Sequence, residues 1–322
     1  MEPLRVAAVQ FEPRPLDAGF NLDRVEQFAA QAAEAGAHLA AFPECCITSY
    51  MPLGKLTREQ LAEIAEPVPD GPSSERLLGL ASERGLAVAA GLVERDAEGK
   101  MYNTYVVATP AGEVHRFRKF HSFVNPFLTA GDAYVVFEYR GWRLGILICY
   151  DNNQPECGRV LATMGVQVLL APHQTGGFPI KYGGMGLIDL ERWRRREAEP
   201  DAIGAELVGP KGRGWLLRWL PSRAYDNGCY VLFANGVGMD GDEVRTGNTM
   251  ILDPHGRILV ETNVAGDDMV LADLSPAPLE KNLGSAHMQT RRPELYERLT
   301  RRVADRVETK ASRDAAIAGE ET

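Results

Sequence analysis

Three short hydrophobic runs in this chain each end on one reactive side chain. They are Leu39-Ala40-Ala41-Phe42-Pro43-Glu44, Val114-His115-Arg116-Phe117-Arg118-Lys119 and Gly145-Ile146-Leu147-Ile148-Cys149-Tyr150-Asp151. Short runs of this kind, β-branched or aromatic and bounded by turn signals, read as buried strands. A carboxylate, an ammonium and a thiol at the ends of buried strands are costly to hold there unless they meet, because burial strips their hydration. The fold therefore has to bring three distant points of the chain, 44, 119 and 149, into one neighbourhood.

The rest of the pattern alternates strands with helices. Strands are expected at Leu4 to Gln10, Ala37 to Phe42, Ala87 to Val93, Asn103 to Ala108, Val135 to Phe137, Arg143 to Ile148 and Val166 to Leu170. Later strands are expected at Cys229 to Ala234, Thr249 to Leu252, Ile258 to Val260 and Met269 to Asp273. Apolar spacing predicts helices over Asn21 to Ala35, with Gly36 as the stop, from Ser73 to just before Gly85, and from about Gln154 to Met164. Trp215 to Tyr225 and Arg291 to Arg306 also read as helices. Thr109-Pro110-Ala111-Gly112-Glu113 is a hairpin turn, because Pro and Gly supply its special backbone angles.

From His173 to Gly214 the pattern breaks. This stretch is rich in Gly, Pro and charge, and only Asp189 to Glu199 reads as helix. So long a segment inside a compact domain is usually a lid or a subunit contact. With no interior linker and no short-period repeat, the chain reads as a single domain over 1–322. Its core runs from about 4 to 275, its insertion from about 173 to 214, and a C-terminal extension from about 276 to 322.

Composition excludes some classes. The net charge of −9 argues against a nucleic-acid partner, which demands a basic face. No stretch is long and apolar enough to span a bilayer. The five cysteines are an odd number with no secretory segment before them, so free thiols in a reducing cytoplasm are expected. Cys45, Cys46 and Cys157 read as small apolar packing groups. The histidines are scattered without metal-ligand spacing, so no metal site is expected. Gly236-Val237-Gly238-Met239-Asp240-Gly241 fits a dinucleotide fingerprint in letters, but a turn and a strand follow it where that motif needs a helix.

Each reactive residue has an ordinary reading when taken singly. Glu44 alone is a surface acid, though Pro43 leaves it on a rigid, extended chain. Lys119 alone belongs to a basic edge strand; alternation puts Arg116 and Arg118 on one face and turns Lys119 with Phe117 toward the apolar side. Cys149 alone is a buried structural thiol, yet at a strand-to-helix turn a helix N-terminus favours its thiolate. The catalytic reading rests on all three together.

Together these residues carry a resemblance. Phe42-Pro43-Glu44, Arg118-Lys119-Phe120-His121 and Ile148-Cys149-Tyr150-Asp151 are similar to the three signature motifs of the nitrilase superfamily, the carbon–nitrogen hydrolases. Arg223-Ala224-Tyr225-Asp226-Asn227-Gly228 and Gly247-Asn248-Thr249-Met250 resemble later family motifs, and the likeness spans roughly residues 4 to 275. The resemblance implies an α/β fold, a four-layer αββα sandwich, commonly paired through helices into a dimer or higher homo-oligomer, and no metal or organic cofactor. It assigns Cys149 as nucleophile, Glu44 as general base and Lys119 as the cation facing the tetrahedral intermediate. The implied activity is hydrolysis of a non-peptide carbon–nitrogen bond in a small amide or ureido compound, by an amidase or N-carbamoyl hydrolase. A nitrilase is the second reading, and an acyltransferase or binding protein on the same fold is the third.

One departure stands out. Many family amidases carry a second Glu between the Lys and Cys motifs, whereas His121 to Ala130 holds no acid. Asn125 is the candidate for that place, although an amide cannot shuttle a proton. The expected pocket residues are Tyr50, Asn125, Tyr150, Asn152, Asn153, His173 and Gln174. His173 reads equally as a loop histidine bonded to backbone.

Overall fold

The alternating apolar runs pair into two six-stranded sheets. The computed structural model describes residues 1–176 and 186–301. In chain order the strands are β1 (Leu4–Gln10), β2 (Leu39–Ala41), β3 (Ala87–Arg95), β4 (Met101–Ala108), β5 (Val114–Arg118), β6 (Val136–Tyr139) and β7 (Trp142–Ile146). They continue as β8 (Val168–His173), β9 (Tyr230–Asn235), β10 (Val237–Asp240), β11 (Glu243–Thr246), β12 (Met250–Leu252), β13 (Ile258–Glu261) and β14 (Asp268–Leu274). The first sheet has the order β14-β1-β2-β3-β4-β5 and the second β13-β12-β9-β8-β7-β6; β10 and β11 form a separate hairpin. In each sheet the buried centre is parallel, β1-β2-β3 in one and β7-β8-β9 in the other, and the outer pairs are antiparallel. Parallel strands read as continuous apolar runs because both faces are covered.

The helices supply the covers. They are α1 (Ala18–Glu34), α2 (Arg58–Ile64), α3 (Pro72–Arg84), α4 (Tyr150–Asn153), α5 (Pro155–Thr163) and α6 (Leu190–Arg194). Then come α7 (Pro200–Val208), α8 (Arg213–Leu216), α9 (Leu220–Tyr225), α10 (Ala277–Glu280) and α11 (Leu283–Gln289). Helices α1 and α3 bury Val25, Phe28, Leu77 and Leu80 against Val9, Ala40, Val88 and Ala90 on the outer face of the first sheet. The other face of those strands, with Val6, Ala41, Ala89 and Phe117, packs on the second sheet, whose far side meets Leu161 of α5 and Ala224 of α9. The layers run αββα.

Several expectations change in detail. The helix expected over Asp189 to Glu199 stops after Arg194, and Pro200 opens a new helix at its first position. The one expected over Trp215 to Tyr225 divides into α8 and α9, with Pro221 in the first turn of the latter. The one expected over Arg291 to Arg306 is two short 3₁₀ turns, Pro293–Leu295 and Glu297–Thr300, because Pro293 has no N–H to continue an α-helix. Its part past residue 301 lies outside the described residues, as does 177–185 of the insertion. Helix α2 was not anticipated. Its sequence signal is the reciprocal cap in which Thr57 accepts from the Gln60 N–H and the Gln60 side chain accepts from the Thr57 N–H.

Candidate active site

The first sheet delivers the acid and the amine. Past β2, the Phe42 N–H still donates to Ala89 O at 2.8 Å, and Pro43 then sends the chain to Glu44, which is fully buried. Gly91 of β3 lies directly beneath this turn; a Cβ there would stand 2.2 Å from Cys45 N and 2.9 Å from the Glu44 carbonyl carbon. Past β5, the Lys119 N–H donates to Asn103 O at 2.9 Å, extending the β4–β5 ladder by one residue. Lys119 is buried beside Phe117, while Arg116 and Arg118 on the opposite face both pair with the buried Glu94 carboxylate. Lys119 Nζ donates to Glu44 Oε1 at 2.6 Å, and Asn103 Nδ2 donates to the same oxygen at 2.7 Å. Glu44 Oε2 is buried as well.

The second sheet delivers the thiol. Beyond β7 the ladder with β8 runs on, through Leu147 N–H to Leu170 O at 3.1 Å and Cys149 N–H to Pro172 O at 2.9 Å. Cys149 then takes φ 50°, ψ −109°, a conformation an L-residue adopts only under constraint, and α4 starts at once. Arg223 of α9 supplies part of that constraint: its Nε donates to Asn152 O and its Nη2 to Asn153 O, at 3.2 Å for the second. Asp151 supplies more. Its buried carboxylate accepts from the N–H groups of Phe120 and His121, at 3.1 and 3.0 Å, and from His121 Nδ1 at 2.7 Å. A single carboxylate thus welds the stretch after Lys119 to the turn after Cys149.

Burial of the sulfur, with the Glu44 charge beside it, pushes the Cys149 thiol up to about 12; Lys119 and the Gln174 backbone N–H pull the other way and are outweighed. Burial and the Glu44 charge both oppose the thiolate that a helix end would favour. Helix α4 has four residues, too short a dipole to overcome desolvation. Burial of the Lys119 ammonium works to lower its pKa, but the facing charges, Glu44 first, outweigh it and hold Lys119 well above the ordinary lysine range.

Aromatic rings stand around this cluster. Lys119 Nζ is 5.2 Å from the Tyr50 ring centroid and 5.0 Å from that of Phe123. Phe123 meets Tyr150 edge-on at 5.8 Å, and Tyr150 meets His121 at 5.7 Å. Tyr50 and Tyr150, both expected pocket residues, thus stand beside the Lys119 cluster. Asn125 does not: its Nδ2 donates to Leu53 O and Leu56 O at 2.7 and 3.0 Å, and its Oδ1 accepts from Phe127 N–H at 2.9 Å, so the amide knits a loop. His173 and Asn152 are fully buried within the second sheet's layer rather than lining an opening. Asn152 Nδ2 donates both to Leu147 O and to His173 Nε2, at 2.7 and 3.1 Å, which leaves His173 Nδ1 as the protonated nitrogen facing Thr175 Oγ1 at 3.0 Å. Asn153 is half-buried, and its carbonyl is held by Arg223. Gln174 is nearly buried; its Nε2 donates to Glu44 O at 3.0 Å, so it steadies the acid's backbone.

Sequence reasoning overlooked Asn103, Phe123 and the role of Asp151. Asn103 was within reach: the turn at 109–113 sets a hairpin register that puts residue 103 opposite 119, and an Asn inside an apolar strand wants a partner.

An αββα sandwich that gathers a thiol, a carboxylate and an ammonium at the strand ends of its two facing sheets defines a class of cysteine hydrolase. The carbon–nitrogen hydrolase family matches residues 5–281, and the chain belongs to that family. An (R)-stereoselective amidase from Pseudomonas sp. is 30% identical over 83% of this chain and 82% of its own length. A nitrilase from Pyrococcus abyssi is 28% identical over 84% and 89%. Among solved structures, a double mutant of the amidase from Nesterenkonia sp. AN1 in complex with acrylamide superposes with a TM-score of 0.68 at 25% identity, covering 92% of this chain and 97% of that one. The chain is a carbon–nitrogen hydrolase of the nitrilase superfamily. No described helix is long and apolar enough to cross a membrane.

Proposed function

We propose that the enzyme hydrolyses the carbon–nitrogen bond of a small amide through an acyl-thioester on Cys149. The observation that carries this reading is the cluster itself: Lys119 and Asn103 both bind Oε1 of the buried Glu44, and the same carboxylate lies close enough to Cys149 to act on its thiol.

Cys149 Sγ bonds to the carbonyl carbon as its proton passes to Glu44. The oxyanion so formed faces Lys119 Nζ and the backbone N–H of Tyr150; each such donor is worth about 10²–10³ in rate. The carbon–nitrogen bond then breaks, Glu44 returns the proton to the leaving nitrogen, and the thioester remains. Water, deprotonated by Glu44, attacks that carbon; the carboxylic acid departs and the sulfur regains its proton. Amides come first because relatives in both sequence and structure bear that activity in their names; ureido compounds and nitriles follow. The free cysteines support a cytoplasmic setting, and the exposed Leu295 and Leu299 of the C-terminal extension support a homodimer or higher homo-oligomer.

Ammonia release from a panel of amides, ureido acids and nitriles identifies the reacting class. Cys149→Ala is expected to abolish release while circular dichroism stays unchanged. A folded Cys149→Ala protein that still turns over would refute the nucleophile.

A further inference from the structure

The β10–β11 hairpin carries a buried charge pair that the chemistry above does not use. Asp240 is fully buried, and its Oδ2 accepts from Arg245 Nε at 3.0 Å. The same carboxylate accepts from Ser49 Oγ at 2.7 Å, from Tyr50 N–H at 3.2 Å and from Met51 N–H at 3.1 Å. Arg245, also buried, donates from Nη1 to Gln174 O at 2.8 Å and from Nη2 to Glu243 Oε2 at 3.2 Å. The fit is close: a Cβ on Gly176 would stand 2.6 Å from Arg245 Nη1.

Follow the links outward. One end of this pair holds the loop that brings Tyr50 to Lys119. The other holds Gln174, whose side chain binds the Glu44 carbonyl and lies flat on Gly236, where a Cβ would be 1.9 Å from Gln174 Oε1. Neither charge touches the triad. Such a pair is also a poor device for stability, because desolvating two ions roughly cancels their attraction, and a well-packed apolar pair often does as well. What an apolar pair cannot do is fix three backbone N–H and C=O groups in direction.

We propose that Arg245 is a positioning residue for this reaction: its guanidinium, anchored on Asp240, fixes the Gln174 backbone and through it the placement of Glu44 against Cys149. This rests on the thioester reading above. The planar fork sends separate nitrogens to Asp240 and to the Gln174 carbonyl, a geometry that the single nitrogen of an ammonium does not reproduce.

The test uses the full chain with the best amide found in the panel. Arg245→Lys keeps the charge that Asp240 requires, so its melting temperature should stay near wild type while kcat falls about 10²-fold, the scale expected when a remote change misplaces reacting groups by about an ångström. Gln174→Ala should lose activity through the same link, so the double variant should be no slower than the worse single one. Wild-type kcat in Arg245→Lys, or losses that multiply in the double variant, would overturn the proposal. Should Arg245→Lys fail to fold, Asp240→Asn with Arg245→Gln removes both charges at once; the same kcat loss in that folded pair supports the link, and full activity refutes it. Cys149→Ala run alongside separates the two failures: turnover there removes the thioester reading itself, whereas an inactive Cys149→Ala beside a fully active Arg245→Lys removes only the link.

Discussion

Cys149 and Glu44 hold each other in check. In the proposed mechanism the carboxylate that takes the thiol proton also, by its charge, raises the energy of the thiolate it would leave behind. Attack on this reading needs the proton to move as the new bond forms. This gives a prediction with a definite sign. In Glu44→Gln the charge that raises the thiol is gone, and Lys119, which lowers it, loses its counter-ion. The Cys149 pKa should fall. Turnover should stop for want of a base, yet alkylation of Cys149 by iodoacetamide at pH 7 should be faster than in the wild type. Slower alkylation in a folded Glu44→Gln protein would mean that Glu44 does not oppose the thiolate. His173 offers a contrast: it sits near the nucleophile in the fold, but its two nitrogens are engaged by Asn152 and Thr175, so it belongs to the scaffold.

At the scale of elements, each group of the triad is fixed by the backbone just outside its strand, and in the first sheet glycines provide the clearance. Gly91 lies under Glu44, and Gly131 lies under the end of β5, where a Cβ would be 2.1 Å from Arg118 O. Gly91→Ala should leave the sandwich folded, because the displaced turn is at a strand end. It should cut kcat about 10²-fold by lifting Glu44 away from Lys119. Activity and thermal melting together check this; wild-type kcat would show that the turn can absorb a methyl group. These elements were also the most legible part of the sequence. Strands β1, β3, β4, β7 and β9 were visible as apolar runs because both their faces are buried. The turn at 109–113 was legible for a different reason, the Pro and Gly that supply its backbone angles. What could not be read was contact made across the fold. Asn125 read as the candidate for the place of the missing second acid, but Leu53 and Leu56, some seventy positions away in the chain, claim its donors. The Asp240–Arg245 pair lies on a hairpin whose importance comes from what it touches, at 49–51 and 174, and spacing alone says nothing of that.

For the whole molecule, the decisive fact is that the triad spans two sheets. Glu44 and Lys119 belong to one and Cys149 to the other, so whatever loosens the packing between layers also parts the proposed base from the proposed nucleophile. The second sheet contains a titratable weak point. His173 ends β8 in its buried centre, 4.7 Å from the Phe233 ring and 5.6 Å from the Trp219 ring. Burial, with the Lys119 charge adding to it, holds its pKa well below the usual histidine range. The folded protein therefore keeps His173 neutral, whereas in the unfolded chain it takes a proton near pH 6.5. Below that pH the unfolded state binds more protons, so stability is intact above about 6.5 and declines as pH falls toward the folded-state value. The melting temperature should be flat from pH 8 to 7 and drop steadily from pH 6.5 to 5. In His173→Asn, which can still bond to its neighbours but does not titrate, the absolute stability should be lower and the slope between pH 6.5 and 5 shallower. A slope unchanged by that substitution would assign acid sensitivity to other groups.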